Sequence, residues 1–369
     1  MRITFDQQVF LLQEYGGISR YICSLAQNIA LIPDSEVKII APLHFNSHLM
    51  QIFGGGLVWG WRAPRIPKTA RLICSLSESL AHSAIKNYHP DIVHETYFSS
   101  SDFMVTGAKR VITVYDMINE KFASSFSRSG MTMAAKKSAV SRADHVICIS
   151  ENTRRDLLEL FDIPEHKVSV VHLGYDAFVS IDTEGLMPPK ITPSPYLLYV
   201  GSRGGYKNFE GLLRAVASSH FLRNNFSIIC FGGGVFTKIE MMLIDELGLD
   251  LRKIQQIGGG DDVLAYLYQS AEAFIYPSLY EGFGIPPLEA MSLGCPVICS
   301  NTSSLPEVVG DAGEYFDPNN MESIRSAIET VMQSQARRDE FVQKGRERCA
   351  IFSWARCAEE TMTIYRGLM

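Results

Sequence analysis

Residues 276–294 read YPSLYEGFGIPPLEAMSLG and follow a short apolar run at residues 273–275. The apolar run predicts a buried strand. Gly282 and Gly284 end that strand and let the backbone approach a ligand closely. The two prolines that follow favour a helix start, because proline is tolerated in the first turn of a helix. The stretch therefore predicts a strand, a glycine loop and a helix N-terminus in succession.

The predicted helix N-terminus is suited to an anion, since it presents unpaired N–H groups and the positive end of the helix dipole. Glu281 lies before the glycine loop, and Glu289 is expected in the first turn of the helix after it. The glycines and prolines between them exclude one continuous helix, so the two carboxylates can contact different ends of one ligand. Both would accept hydrogen bonds from hydroxyl groups. The alternative for Glu289 is that it only complements its helix dipole. A ligand that is both anionic and hydroxyl-rich, such as a nucleotide sugar, fits this stretch.

The composition is that of a globular protein with two domains. The chain has 369 residues, of which 46% are hydrophobic and 20% are charged. Its net charge of −6 argues against nucleic acid as a partner. The eight cysteines lack a zinc-binding spacing, which favours reduced core thiols in a cytoplasmic protein. No apolar run reaches the ~18 residues of a transmembrane helix, and the N-terminus reads as a first strand rather than a signal peptide.

Strands and helices alternate along the chain, and this alternation predicts an α/β protein with two doubly wound parallel sheets. Residues 177–195 are polar and proline-rich, and we interpret them as an interdomain linker. We expect Rossmann-like domains at residues 1–180 and 193–353. Residues 43–71 are glycine-rich and read as irregular. Open α/β sheets bind ligands at the carboxyl ends of their strands, so we expect a cleft between the two domains.

Five glycine loops follow predicted strands or open predicted helices, and we expect them to converge on this cleft. They lie at residues 16–17, 201–205, 232–234, 258–260 and 282–284. Gly16 and Gly17 lack the third glycine of a dinucleotide fingerprint. The alternative for this pair is therefore a tight turn that binds no ligand. Arg203 and Lys207 lie in the second of these loops, where they could bind one diphosphate together. The alternative is that both are solvated surface charges.

Metal ligands are not evident. Asp261 and Asp262 are adjacent, but no third ligand accompanies them, and we interpret them as surface acids. We therefore expect no metal and no cofactor. The charge of a departing diphosphate would instead be neutralised by Arg203, Lys207 and the helix N-termini.

A basic segment in the N-terminal half has two interpretations. Four basic residues fall within ten positions with no acid among them, and two tryptophans precede them: Arg62, Arg65, Lys68 and Arg71, after Trp59 and Trp61. The segment could be a solvated loop. Alternatively it docks on an anionic membrane leaflet, with the tryptophans at the interface.

The run from Glu281 to Glu289 resembles the signature of the retaining glycosyltransferases of family four (the group 1 glycosyltransferases), which have the GT-B fold. The resemblance extends over nearly the whole chain. It includes GGISRY at 16–21, YVG at 199–201 with Arg203 and Lys207, the glycine turn at 232–234, GCPV at 294–297 and LPEV at 305–308.

The resemblance implies roles for these residues. Glu289 would bind the ribose hydroxyls of the donor, and Glu281 would be catalytic, beside the reacting carbon. Arg203 and Lys207 would bind the diphosphate. The other implied donor-binding residues are Gly16, Gly17, Gly233, Gly282, Phe283, Gly284 and Ile285. The final helix, at 354–369, would return to the N-terminal domain, which would take the acceptor.

One position departs from the family pattern. The family often has His-Asp after the strand at 111–114, whereas this chain has Tyr115 and Asp116. We expect both residues in the catalytic site. Tyr115 can donate a hydrogen bond but cannot become a cation near neutral pH. Recognition of the sugar or of the acceptor is therefore expected to differ.

The residues and the resemblance together predict a retaining, metal-independent hexosyltransferase of surface polysaccharide assembly, such as that of lipopolysaccharide O-antigen. The expected donor is a GDP- or UDP-linked sugar, with mannose the first choice. The expected acceptor is a glycan or a polyprenyl-diphosphate-linked saccharide. The expected location is the cytoplasm, with peripheral contact at the inner membrane face.

Two alternatives remain open. One is another enzyme of the same fold, an epimerase or a phosphorylase. The other is a regulator that binds nucleotide sugars without turnover. The presence of two glutamates and two basic residues argues against the regulator, because a sensor does not need to stabilise a leaving group.

Overall fold

The computed structural model describes residues 1–52, 56–64, 66, 69–101, 103, 105–123, 129–176 and 195–369. Most of the predicted linker, 177–194, lies outside these residues, as do Arg65 and Lys68 of the basic segment. The chain divides into two compact units. The N-terminal unit comprises Met1–Gly174 and Phe352–Met369, and the C-terminal unit comprises Tyr175–Ile351.

The N-terminal unit contains a seven-stranded sheet in which every pairing is parallel. Its strands are β1 (Arg2–Phe5), β2 (Glu36–His44), β3 (Val58–Arg62), β4 (Ile92–Glu95), β5 (Lys109–Val114), β6 (His145–Cys148) and β7 (Val168–Val170). Their spatial order is β3-β2-β1-β4-β5-β6-β7. The direction of winding reverses between β1 and β4, as in doubly wound folds.

The C-terminal unit contains a six-stranded parallel sheet. Its strands are β8 (Tyr196–Val200), β9 (Ser227–Phe231), β10 (Ile254–Ile257), β11 (Ala273–Tyr276), β12 (Val297–Ser300) and β13 (Gly313–Phe316). Their spatial order is β10-β9-β8-β11-β12-β13, so the winding reverses between β8 and β11. The predicted class, two doubly wound α/β domains, is confirmed.

The described residues form sixteen α-helices. They are α1 (Gln8–Leu12), α2 (Gly17–Ile29), α3 (His48–Gln51), α4 (Ala70–Tyr88), α5 (Ile118–Lys121), α6 (Ser129–Arg142), α7 (Glu151–Leu160), α8 (Phe209–Ser218), α9 (His220–Asn225), α10 (Lys238–Glu246), α11 (Asp261–Ser270), α12 (Ile285–Ser292), α13 (Leu305–Val309), α14 (Met321–Met332), α15 (Gln335–Cys349) and α16 (Trp354–Gly367). None of them is long and apolar enough to cross a membrane.

The core of the C-terminal unit explains why its strands are apolar. Leu197, Ile228, Ile275 and Ile298 come from four different strands and are buried in one cluster with residues of α8 and α14. Strands buried on both faces require this composition.

Seven of the eight cysteines of the chain are buried, and all eight are unpaired thiols.

Strand β3 corrects the interpretation of residues 43–71 as irregular. Gly60, which suggests a loop, lies in the middle of this strand with φ +155°. A Cβ atom at Gly60 would lie 1.7 Å from the carbonyl oxygen of Ala41 in the neighbouring strand. The glycine is therefore required by the close approach of the two backbones.

Strand β13 was not predicted from the sequence. It forms an edge of the C-terminal sheet.

Helix α16 belongs to the N-terminal unit although it is the last element of the chain. Its buried side chains include Met362 and Tyr365, and the helix packs against α2. The Tyr365 hydroxyl lies 2.5 Å from Nδ1 of His94, at the centre of the sheet. Gly174 permits this arrangement, because a Cβ atom there would lie 2.3 Å from the amide nitrogen of Trp354.

Candidate active site

The candidate site begins with a charged pair at the reversal point of the C-terminal sheet. Strands β8 and β11 are neighbours there, and the loops after them carry Lys207 and Glu281. Lys207 Nζ lies 2.6 Å from Glu281 Oε1, and the two side chains are only 16% and 10% exposed. Lys207 Nζ also donates to the hydroxyl of Tyr276 at 3.1 Å. Ligands of open α/β sheets bind at such a point.

The ammonium group of Lys207 has capacity for one more hydrogen bond. A lysine ammonium group has three N–H donors, and the described residues engage two of those of Lys207, at Glu281 and Tyr276. The third can bind a ligand. Burial, and then the charge of Glu281, raise the pKa of Tyr276 well above its ordinary value, so its phenol stays protonated.

The loop that follows Glu281 is held close to its neighbours. Phe283 is buried, and Gly284 has φ +121°, a conformation that favours glycine. A Cβ atom at Gly284 would lie 3.0 Å from Cδ2 of Leu305. Substitution of this glycine would therefore both strain the backbone and displace a core side chain.

Helix α12 starts directly after the loop, at Ile285, and Pro286 and Pro287 occupy its first turn. Prolines have no N–H group. Among the first three residues of the helix, only Ile285 can donate a backbone hydrogen bond. The anion-binding capacity predicted for this helix N-terminus is therefore reduced.

Glu289 was expected in the first turn of α12, but that turn contains no acidic residue because the helix already begins at Ile285. Glu289 lies further along the helix and is largely buried. The hydroxyl of Tyr268, from α11, donates to Glu289 Oε2 at 3.3 Å. Burial, and then the carboxylate of Glu289, raise the pKa of Tyr268 well above its ordinary value. Tyr268 thus remains a hydrogen-bond donor that orients the Glu289 carboxylate.

Arg203 occupies a different environment from Lys207. Its guanidinium, only 2% exposed, donates to Glu240 Oε1 at 2.7 Å. It also donates to the carbonyl oxygens of Gly232 at 3.0 Å and Gly234 at 2.8 Å, and it lies 4.6 Å from the ring centre of Phe236. The protein itself therefore occupies most of the donors of Arg203. Its predicted role as a diphosphate ligand stays a prediction, and binding there would require the side chain to exchange some of these partners.

The predicted donor-binding residue Gly233 belongs to the turn that Arg203 holds. Gly232, Gly233 and Gly234 all have positive φ, between +69° and +85°, which directs their carbonyl groups at the guanidinium. A Cβ atom on Gly233 would lie 2.8 Å from Nη1 of Arg203. The packing around Arg203 therefore accounts for the three consecutive glycines, and no ligand is needed to explain them.

Tyr115 and Asp116 belong to the N-terminal unit, and both are engaged there. The Tyr115 hydroxyl is buried and donates to the carbonyl oxygen of Thr96 at 3.0 Å. Burial raises the pKa of Tyr115 well above its ordinary value, so the phenol is neutral. Asp116 Oδ1 accepts from the backbone N–H of Ile118 at 3.0 Å, and its carbonyl accepts from Lys136 Nζ at 2.8 Å. The catalytic roles of Tyr115 and Asp116 stay predictions.

Gly16 and Gly17 also lie in the N-terminal unit, at the start of α2. The side-chain oxygen of Gln13 accepts from the backbone N–H of Ser19 at 3.1 Å, and the Ser19 hydroxyl donates to the Gly16 carbonyl at 3.0 Å. One donor of this helix N-terminus is thus already bonded to the protein. The proposed contact of the turn with a diphosphate is not tested by this geometry.

Sequence reasoning missed the two tyrosines that orient the acidic side chains. Tyr276 ends β11, which is the position from which a side chain can reach the loop after β8. Tyr268 gives no comparable signal, because it lies on a helix whose packing partner is unknown from sequence. Asp261 and Asp262 lie in the first turn of α11, and the described residues contain no group of three or more possible metal ligands.

Solved structures share this architecture. WaaG, a glycosyltransferase involved in lipopolysaccharide biosynthesis, aligns over 100% of both chains with a TM-score of 0.73 at 16% identity. The two doubly wound units therefore form the GT-B fold of glycosyltransferases, as predicted.

Family models define the class more closely. The model described as "Glycosyltransferase Family 4" matches residues 15–177, and the model described as "Glycosyl transferases group 1" matches residues 188–348. The chain belongs to the group 1 glycosyltransferases, with a family 4 domain in front of the group 1 domain, which confirms the resemblance.

Two relatives from Escherichia coli are informative. O-antigen chain mannosyltransferase B is 28% identical over an alignment of 373 positions, which covers 95% of this chain and 96% of that protein. Serotype-specific mannosyltransferase WbdA is 30% identical over 227 residues, which span 59% of this chain and 28% of WbdA.

Proposed function

We propose that the chain transfers a hexose, with mannose the first choice, from a nucleoside diphosphate sugar to a growing surface glycan. The observation that carries this proposal is the Lys207–Glu281 pair at the reversal point of the C-terminal sheet, in a chain of the glycosyltransferase family. Support for mannose comes from the relative that aligns over 95% of the chain, an O-antigen chain mannosyltransferase. The donor would be GDP- or UDP-linked.

Lys207 and Glu281 would act on different parts of the donor. The third N–H donor of Lys207 would bind the diphosphate and stabilise the charge that develops as the sugar leaves. The net contribution of such a charge-assisted contact is about 1.5–3 kcal/mol. Glu281 would accept a hydrogen bond from a hydroxyl of the transferred sugar, and Glu289, oriented by Tyr268, would accept from the ribose.

We further propose that the reaction retains the anomeric configuration and needs no metal. The acceptor hydroxyl would attack from the side that the diphosphate leaves, and its proton would pass to the departing phosphate oxygen. The glycosidic bond to the phosphate breaks as the bond to the acceptor oxygen forms. Lys207 then meets the charge that a metal would otherwise neutralise.

The acceptor would be a glycan or a polyprenyl-diphosphate-linked saccharide on the cytoplasmic side of the inner membrane. Residues 37–77 contain five basic residues and no acidic one, in a chain whose net charge is −6. The same region exposes Trp59, Trp61, Leu72 and Leu76. A basic and apolar surface of this kind favours peripheral contact with anionic lipid.

A thermal-shift panel tests the nucleotide part of the proposal. The protein is heated with UDP, GDP, dTDP or ADP, each with and without EDTA. We expect one nucleotide to raise Tm by about 2–4 °C for each 1 kcal/mol of binding, the scale for a cooperative unit of the size of the C-terminal unit, Tyr175–Ile351. EDTA should not change the shift. If none of the four nucleotides has an effect, the proposal is wrong.

Turnover separates an enzyme from a regulator. The sugar nucleotides of the base that binds are then incubated with the protein, and release of the nucleoside diphosphate is measured. Slow hydrolysis of one donor would support transfer even without the natural acceptor. Tight binding with no cleavage of any donor would favour the regulator.

A further inference from the structure

Three consecutive hydroxyl side chains lie against the loop that carries Glu281. Thr302, Ser303 and Ser304 follow strand β12, which pairs with β11 in parallel, so the loops after the two strands are adjacent. Thr302 Oγ1 donates to the carbonyl oxygen of Leu279 at 3.1 Å. The other two hydroxyl groups contact the loop closer to the proposed chemistry.

Ser304 binds the carbonyl side of the loop. Its side chain is fully buried, and its Oγ lies 2.9 Å from the carbonyl oxygen of Glu281 and 2.6 Å from that of Phe283. A serine hydroxyl has one hydrogen to donate, so the two carbonyl groups share it. Because buried carbonyl groups need a partner, loss of this hydroxyl would remove the donor that it supplies to Glu281 and Phe283.

Ser303 binds the backbone N–H of Glu281. Its Oγ accepts from the backbone N–H of Glu281 at 2.9 Å. Ser303 has φ +55°, a left-handed conformation that residues other than glycine rarely adopt. Backbone outliers of this kind cluster at functional sites, where the surrounding structure maintains them.

We propose that Ser303 and Ser304 are positioning residues for sugar transfer. Between them they bind both the N–H and the C=O of Glu281, which fixes the backbone from which the carboxylate reaches Lys207. The loop up to Gly284 is thereby preset for the donor sugar, rather than ordered when the sugar arrives. This inference rests on the proposed donor site. The two serines lie outside the glutamate motif and would control the geometry of the loop that carries Glu281.

The first test removes each hydroxyl. In Ser304→Ala we expect turnover of the sugar nucleotide to fall between about tenfold and 100-fold, because small displacements of a positioned group have effects of this size. The affinity for the nucleoside diphosphate alone should stay within about twofold, since Lys207 and Glu289 are untouched. Ser304→Thr, which keeps the hydroxyl, should restore most of the turnover. A merely structural serine would change Tm and nucleotide affinity together.

Ser303 allows the hydroxyl and the backbone to be separated. Ser303→Gly removes the hydroxyl but suits the positive φ, whereas Ser303→Ala removes the hydroxyl and keeps the unfavourable conformation. We expect both to lose turnover, although the glycine variant should be the more stable of the two. Full activity in Ser303→Gly would contradict a role for the hydroxyl.

A measurement without substrate keeps the inference separate from the proposed function. Amide hydrogen exchange is followed in the unliganded protein across residues 279–284. We expect exchange to be about tenfold faster or more in Ser304→Ala and in Ser303→Ala. Ser219→Ala is the matched control, because Ser219 is also buried, caps α9 by accepting from the N–H of Leu222 at 3.0 Å, and lies outside the site. It should leave both exchange in the loop and turnover unchanged.

The outcomes are distinct. Unchanged exchange at 279–284, or unchanged turnover, in Ser304→Ala overturns the inference. Failure of every nucleotide to stabilise the wild-type chain overturns the proposed function instead, and the exchange result still shows whether the two serines hold the loop. Faster exchange together with lower turnover and retained nucleotide affinity supports the inference.

Discussion

Lys207 and Glu281 neutralise each other across 2.6 Å, at the place where the proposed donor would bring additional negative charge. This is possible because the ammonium group retains one donor after it binds Glu281 and Tyr276. In the proposed function, the lysine binds the diphosphate and the glutamate binds the sugar. The two residues are therefore expected to respond differently to substitution.

Replacement of Lys207 by alanine should weaken binding of the nucleoside diphosphate by about tenfold or more, because a charge-assisted contact of 1.5–3 kcal/mol is lost. Glu281→Ala should leave that affinity nearly intact while it abolishes transfer. Titration calorimetry with the nucleotide and a turnover assay with the sugar nucleotide give the two readouts. Glu281→Gln controls for side-chain shape. An active Glu281→Ala enzyme would contradict the assignment.

His94 is the clearest source of pH dependence in the N-terminal unit. The ring is fully buried between the hydroxyls of Tyr365 and Thr113, at 2.5 Å and 2.9 Å. Burial lowers the pKa of His94 from 6.5 to about 3. Between these values the unfolded chain binds a proton that the folded chain does not, so folding stability falls as the pH is lowered through this range.

For His94 we expect a loss of about 2 kcal/mol in the free energy of unfolding between pH 8 and pH 5. In His94→Gln this contribution should disappear, and stability should depend less on pH although it is lower overall. All three tryptophans, Trp59, Trp61 and Trp354, lie in the N-terminal unit, so urea unfolding followed by tryptophan fluorescence reports on that unit alone. His220→Gln, at an exposed histidine of the C-terminal unit, is the control. Parallel pH profiles for the wild type and His94→Gln would contradict the prediction.

At the scale of single elements, α4 and β3 form an unusual surface. Leu72, Leu76 and Leu80 are spaced by four residues on α4 and are 71%, 50% and 42% exposed. Trp59 of β3 pairs with Ile40, whose side chain packs under α4, so Trp59 lies on the same face of the sheet as that helix. The Trp59 and Trp61 rings are 6.0 Å apart. In the proposed membrane contact, this outward row of leucines and the tryptophan pair would enter the interface of an anionic bilayer.

Replacement of all three leucines by serine should reduce binding to vesicles that contain anionic phosphatidylglycerol by about 100-fold, since each leucine contributes roughly 1 kcal/mol when buried in lipid. Co-sedimentation measures the binding, and the fluorescence of Trp59 and Trp61 should shift to the blue when vesicles are added. Binding should weaken with salt, because the basic residues contribute electrostatically.

The matched control changes Val235, Ile239 and Met242, which are exposed apolar residues on and next to α10 in the other unit. Serine at these three positions should leave vesicle binding unchanged. Equal binding to zwitterionic phosphatidylcholine vesicles, or a loss of binding in both triple variants, would argue against a specific surface on α4.

The elements were largely predictable from sequence, and the contacts between them were not. The start of α7 is an element boundary of this kind, because serine favours the N-cap position and Ser150 accepts from the backbone N–H of Thr153. Strand β3 was missed since a glycine within a strand has the same local signature as a loop. The carbonyl groups around Arg203 come from residues about thirty positions away, and backbone carbonyl groups carry no sequence signal. Glu281 and Lys207 were identifiable by motif, whereas the serines that hold the loop became visible only through the pairing of β11 with β12.

At the scale of the whole molecule, the two units share the order of six strands, to which the N-terminal unit adds β7, and they differ in how each is completed. The C-terminal unit is continuous, from Tyr175 to Ile351, whereas the N-terminal unit takes its last helix from the end of the chain. Helix α16 covers α2, and Tyr365 closes the polar network around His94. The folded state of the N-terminal unit therefore depends on α16, which comes from the opposite end of the chain. The C-terminal unit does not need this helix.

Removal of residues 352–369 should consequently destabilise one unit and spare the other. Met362 and Tyr365 are almost completely buried, and loss of two side chains of this size costs about 3–6 kcal/mol, a large part of the ~5–15 kcal/mol that stabilises a typical domain. Hydrogen exchange should therefore become faster in α2 and β4, while β9 and β12 stay protected and the nucleotide still stabilises the C-terminal unit. A chain that ends at Gly367 is the control, since it lacks only the last two residues. Unchanged protection of α2 in the shorter chain would show that α16 is not required, and loss of protection in β9 and β12 would show that the two units do not fold independently.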